Sequence, residues 1–145
     1  MRGLRELRRD NRASSAIEFA LVVLPLLLLL FGTIEFGRLL WTRQAMLSLA
    51  ISTARCMGVL ENACANSGTY SATNTTNSAI AGAASLGVAL AASNVTLNVG
   101  ASCGGISNFS SVTIAYTFFT VAPQLISAMS AGIPLSTTAC FPNQL

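Results

Sequence analysis

Residues 14–34 read SSAIEFALVVLPLLLLLFGTI, an apolar run that carries one charge, Glu18. A helix needs about 20 such residues to cross the hydrocarbon core of a bilayer, so this run is just long enough. A cleaved secretory signal has a shorter apolar region, about 7–15 residues, ending at a small-x-small site. Here the run continues without a break into a helical pattern. Leu40, Leu47, Ile51 and Ala54 recur at helical spacing, with Met46, Leu49 and Ala50 beside them. Arg43, Gln44, Ser48, Ser52 and Arg55 supply the polar positions. The pattern predicts one helix over residues 14–60, embedded in the membrane to about residue 34 and amphipathic beyond it.

Two residues interrupt the embedded half, Pro25 and Gly32. Pro25 has no N–H to donate to the carbonyl of Leu21, so a kink or local melting is expected there. Membrane helices tolerate such breaks when neighbours satisfy the freed groups. Glu35 and Arg38 are three apart, hence neighbours on one helical face, and are expected to pair as a charged collar at the membrane boundary.

The charge distribution sets orientation and removes several functions. Arg2, Arg5, Arg8, Arg9 and Arg12 precede the apolar run, opposed only by Glu6 and Asp10. The positive-inside rule keeps that end in the cytoplasm, and a generic signal-sequence n-region predicts the same orientation. After Glu61 there is no Asp, Glu, Lys or Arg. A nucleic-acid contact surface needs distributed basic residues, so no nucleic-acid partner is expected. The chain has no histidine and is only 9% charged. Ser-His-Asp and Cys-His schemes are therefore absent, and paired carboxylates for general acid–base work are missing beyond the membrane. The expectation is a protein that is not an enzyme, with no metal and no cofactor.

Beyond the helix the chain changes character. Residues 61–78 are rich in Asn, Ser and Thr and read as a loop. Residues 79–92 read as a short, weak helix packed through Ile80, Leu86 and Leu90. The period then becomes two. Val95, Leu97 and Val99 alternate with Thr96 and Asn98; after a loop over 102–110, Val112, Ile114, Tyr116 and Phe118 share one face. Ala122-Pro123 ends that strand, residues 124–131 read as a helical turn, and Ile133 to Phe141 makes a third strand. Three successive strands on short connections predict an antiparallel sheet. The fold class is α+β: a long N-terminal transmembrane and amphipathic helix, then a small antiparallel sheet domain with one short helix, over residues 61–145.

Cys56, Cys64, Cys103 and Cys140 all follow the apolar run. An even number of cysteines in an exported domain reads as disulfides, and four allow three pairings. Cys56 and Cys64 are near enough to be joined across a turn. In an up-down-up sheet Cys103 and Cys140 lie at the same end. That arrangement favours Cys56–Cys64 and Cys103–Cys140.

A carboxylate inside a membrane segment costs about 2.5–3.5 kcal/mol at its centre, so Glu18 needs a reason. The plainest is a helix-start carboxylate favoured by the N-terminal dipole. A second reason follows if the chain is cut between Ala13 and Ser14. Glu18 is then the fifth residue of the mature protein, next to Phe19, and can neutralise the new α-amino group of a neighbouring subunit.

The basic leader, the small residue at Ala13, the Glu18-Phe19 pair and the long apolar helix together resemble the class III signal of type IV pilins and pseudopilins. The run AIEFALVVLPLLLLLFGTIEFGR resembles, more narrowly, the TadE-like proteins of the tight adherence (Tad) pilus system. The N-terminal resemblance covers roughly residues 8–60. The Tyr116–Phe118 strand leading to Pro123 is also similar to the later part of such proteins. Where the family has glycine before the cut, this chain has Ala13.

The resemblance implies residues 1–13 as a cytoplasmic leader, removed by a prepilin peptidase. It also implies an assembly role for Glu18 and Phe19, and work as a minor pilin or pseudopilin. Its partners would be membrane lipid, other pilins and inner-membrane Tad assembly proteins, and adhesion and biofilm formation would follow. The protein would sit in the bacterial inner membrane with its C-terminal domain in the periplasm, or be built into an extracellular pilus. Two rival readings stand beside it: an uncleaved single-pass protein with a periplasmic binding domain, and an exported enzyme with an N-terminal anchor.

Overall fold

The structure, a computed structural model, describes residues 11–120 and 131–144, with side chains from Ser15 onward. The leader expected at 1–13 is outside the described residues up to residue 10. So are the strand end at Ala122-Pro123 and, apart from residue 131, the helical turn expected at 124–131. The chain divides into two compact units, Met1–Gly37 and Arg38–Leu145.

Helix α1 runs Asn11–Gly58. Helical geometry continues unbroken through Pro25, so the local melting expected there does not occur. One missing N–H leaves the rest of the bond ladder on either side intact, and Leu, Val and Phe at its neighbouring positions do not compete for backbone groups. In the second unit α1 buries Ala45, Met46, Leu49, Ala50, Ala54 and Met57. Of the apolar positions expected at helical spacing, Met46, Leu49, Ala50 and Ala54 are buried, while Leu40, Leu47 and Ile51 are exposed. The closest approaches of other elements to this face fall at glycines. A Cβ added at Gly82 would stand 2.8 Å from Leu49 Cδ1, and one at Gly58 would stand 2.6 Å from Phe141 Cδ1.

Two short strands, β1 (Ala65–Asn66) and β2 (Thr69–Tyr70), make a small antiparallel hairpin. Helix α2 follows at Ala72–Ser85, seven residues earlier than the expected start at 79. The residues that read as loop are its cap and its anchor. Ser71 accepts from the Asn74 N–H at the N-cap. Asn74 Nδ2 donates to the Ala65 carbonyl at 2.8 Å, and the buried Thr75 hydroxyl donates to the Ser71 carbonyl at 2.8 Å. At the other end, the Val88 N–H returns to the Ala83 carbonyl and that of Gly87 to Ala84. This is the Schellman arrangement, with Gly87 in the left-handed region at φ +76°. Ile80 and Leu86 pack against the core and Leu90 is buried in it, as expected.

The main sheet has strand order β3-β4-β5, with β3 at Val95–Cys103, β4 at Ile106–Phe118 and β5 at Ile133–Pro142, all antiparallel. Val112, Ile114 and Phe118 of β4 are buried and Tyr116 packs against the core, all on the expected face. The expected loop over 102–110 shrinks to Gly104-Gly105. Both have positive φ (+61° and +84°), the requirement of a two-residue hairpin turn of the primed type. Register shifts fall between Val99 and Ala101 and between Ala101 and Cys103. Gly100 (φ +82°) and Asn108 (φ +70°) are the left-handed residues there. Val99, expected on the buried face of this strand, is 47% exposed, next to the bulge that follows it.

Both expected disulfides are present, Cys56–Cys64 and Cys103–Cys140. The second spans from β3 to β5 across the central strand. Two strand spacings are about 9.5 Å, yet these Cα atoms are 6.5 Å apart. The bulges bend and twist the hairpin tip and bring Cys103 over the outer face of the sheet, where Cys140 is exposed. At the chain's end, the Asn143 N–H donates to the Asn108 carbonyl and Ser110 Oγ to Asn143 Oδ1, while the Gln144 N–H donates to the Gly58 carbonyl of α1.

The two faces of α1 predict opposite outcomes. Leu49→Ala should cost about 2–5 kcal/mol as a cavity-forming substitution, and Leu47→Ala less than about 0.5 kcal/mol as a surface one. Urea unfolding in non-ionic detergent, followed by circular dichroism, measures both. On chain entropy, C103S/C140S should lose about 4 kcal/mol and C56S/C64S about 2.5 kcal/mol. The same unfolding curves rank the pairs, and the reverse order would rule out loop closure as the source.

Candidate membrane and assembly helix

The first unit offers one chemical feature, an apolar helix surface bearing a carboxylate. The stretch Ser15–Gly58 is apolar and long enough to cross a membrane; its most apolar window has a mean hydropathy of 2.5, and none of that window is buried. Ile17, Phe19, Leu21, Val22, Leu24, Leu26, Leu28, Leu29 and Phe31 are all more than half exposed. At about 1.5–3 kcal/mol per side chain, leaving these nine in water forgoes roughly 14–27 kcal/mol. That is as large as or larger than the whole stability of a typical domain, about 5–15 kcal/mol. Such a surface fits a membrane-anchored protein.

Glu18 and Phe19 are both exposed on this helix. The backbone of Ala13 and Ser14 is helical, and their side chains are outside the described residues. Gly32 has no atom within 4 Å of an added Cβ. Around it the helix satisfies its own hydroxyls, with Thr33 Oγ1 donating to the Leu30 carbonyl at 2.8 Å. Glu35 and Arg38 lie one turn apart, and the Arg38 guanidinium carbon is 5.6 Å from the centre of the Phe118 ring, a cation–π distance. That aromatic partner, 80 residues away in sequence, carries no local signal.

In the second unit the cavities are open surface grooves. The larger, about 580 Å³, runs along Gln44, Leu47, Ile51 and Arg55 to Glu61; a smaller one of about 240 Å³ lies between Arg43 and Met46 of α1 and Pro134–Thr137 of β5. Two exposed aromatic side chains of this unit carried no expectation from sequence, Trp41 at 65% and Phe119 at 60%. A tryptophan soon after an apolar run, with an arginine on either side, was the available signal for the first. Nothing local distinguishes Phe119 from Phe118, because their opposite burial depends on the strand's end.

Neither a curated protein nor a solved structure matches the chain. The family model described as TadE-like protein matches residues 13–55, under a third of the 145 residues. The match begins at the residue expected before the cut and ends three residues short of the end of α1. Over that segment, which contains Glu18, Pro25, Glu35 and Arg38, the N-terminal helix of this chain is similar to the TadE-like family.

Proposed function

We propose that this chain is a minor pilin or pseudopilin of a Tad-type pilus, a structural and assembly component and not an enzyme. The observation that carries the reading is Glu18: a carboxylate on a wholly exposed apolar helix, inside the TadE-like segment, five residues beyond Ala13. Lipid gives that carboxylate no partner. A second subunit's α-amino group, released by cleavage between Ala13 and Ser14, would neutralise it and set the axial register of adjoining helices. Phe19, beside it, would add apolar contact in the same bundle.

The arginine-rich leader supports insertion from the cytoplasmic side of the inner membrane, by the positive-inside rule. The two disulfides support an oxidising location for the C-terminal unit. Glu35 and Arg38 would form the charged boundary of the embedded helix. In this reading a prepilin peptidase processes the chain, other pilins and inner-membrane Tad proteins assemble it, and surface adhesion and biofilm formation are the outcome.

Two measurements test this. The N-terminal residue of membrane-extracted protein should be Ser14 when the cognate prepilin peptidase is present and Met1 when it is absent. Met1 in both samples would leave an uncleaved single-pass protein with a periplasmic domain. Glu18→Ala should leave membrane insertion intact, read by flotation with membranes, and abolish piliation, read by electron microscopy. Normal piliation in that variant would refute the assembly role.

A further inference from the structure

We propose that Trp41 and Phe119, flanked by Arg38 and Arg43, form a lipid-facing collar through which the C-terminal unit contacts the headgroup layer of the membrane. The proposal rests on the membrane-anchor reading of α1 but adds a surface which that reading does not require. Four observations carry it.

Trp41 and Phe119 are the large aromatic side chains left outside the core at this end of the unit, at 65% and 60% exposure. They belong to different elements that meet here. The Arg38 guanidinium covers the ring of Phe118, which is 4% exposed, so the end of β4 lies beside the first turn of α1 in this unit. Phe119 is the next residue, and burial alternates over Phe118, Phe119 and Thr120, so Phe119 stands away from the face that Phe118 buries.

Position along the chain also points to the headgroup layer. Trp41 follows Ile34, the last residue of the apolar run, by seven residues, about 10 Å of helix. Helical side chains tilt toward the N-terminus, which brings the indole back toward the run. The interfacial zone adds about 5–8 Å to each side of the hydrocarbon core. An indole, apolar with one N–H donor, is suited to that zone, where tryptophans are enriched.

Charge selects lipid over a neighbouring protein helix. Three charged residues lie within two helical turns of Trp41, namely Glu35, Arg38 and Arg43. Glu35 stands one turn from Arg38, so the cation in surplus beside the exposed indole is Arg43, which matches a layer of lipid phosphates. The same cation would repel its counterpart on a second copy.

Trp41 is the only tryptophan in the chain, so its fluorescence reports this site alone. The full chain would be reconstituted at high lipid excess into phosphatidylcholine vesicles containing phosphatidylglycerol, and vesicle flotation would score anchoring separately. The collar predicts emission shifted to the blue of free tryptophan amide. It also predicts a several-fold smaller response to acrylamide, and stronger quenching by lipids brominated near the headgroup than near the methyl end. Phe119→Ser should raise the acrylamide response without changing the far-ultraviolet circular dichroism. Floating protein with freely quenched Trp41 would overturn the collar and leave the anchor standing. Shielding that tracks the protein-to-lipid ratio would also overturn it, in favour of a neighbouring copy. Failure to float would overturn both.

Discussion

The cluster formed by Met46, Leu49, Ala50, Ala54 and Met57 of α1 with Val112 and Ile114 of β4 is the contact on which the C-terminal unit depends. A three-stranded sheet needs a covered face to be stable, and this face is closed by the helix that also carries the anchor. The buried positions on α1 are mostly alanine and methionine. Glycine lets α2 and β5 come close, at Gly82 against Leu49 and at Gly58 against Phe141. Methionine fills the irregular space left between a helix and a twisted sheet. Larger residues at the alanine positions would hold the elements apart and open voids along the whole contact.

A core this small receives help from covalent and polar links at its margins. The two disulfides hold the helix end to the first hairpin and the β3–β4 tip to β5. Asn143 ties the last residues to the start of β4, and the Gln144 N–H ties them to the end of α1. No Asp, Glu, Lys or Arg occurs after Glu61, so solvation there falls to Ser, Thr and Asn, as in the Thr113–Thr138 hydroxyl pair on the outer sheet face. Among the titrating side chains of that stretch, burial raises the pKa of Tyr70, partly offset by its bond to Thr75.

Regular periodicity made the long helix, the three-stranded sheet, the buried face of β4 and the disulfide pairing legible in the sequence. Each rests on a period or on topology, and both survive without knowledge of neighbours. The misplaced parts have a common physical origin. Asn74 and Thr75 read as loop because their side chains compete for backbone bonds, and here they make such bonds to Ala65 and Ser71 while remaining helical. Leu40, Leu47 and Ile51 read as core because they are the largest residues at helical spacing. The real core face was decided by where other elements approach. The hairpin at Gly104-Gly105 was hidden by bulges, which interrupt the period of two on which strand reading depends. In the anchor, Glu18 was legible from its place in an apolar run. The Arg38–Phe118 contact was not, since it depends on where β4 ends in space.

The anchor also shows why an isolated copy in lipid is an incomplete state under the proposed assembly. Glu18 brings a carboxylate into an apolar surface. Pro25 cannot donate to the carbonyl of Leu21, although the helix runs through it unbroken. These two polar demands fall at positions 18 and 21, within one turn of each other. Hydrocarbon answers neither. Under the proposed assembly, the amino terminus of another subunit would answer the carboxylate. The leucines between and beyond them (Leu24 and Leu26 to Leu30) supply apolar area to lipid and to a neighbouring helix almost equally, so they do not choose between the two. Under the proposed assembly, the choice of partner and the register in which it docks would be left to the polar pair near the start of the helix.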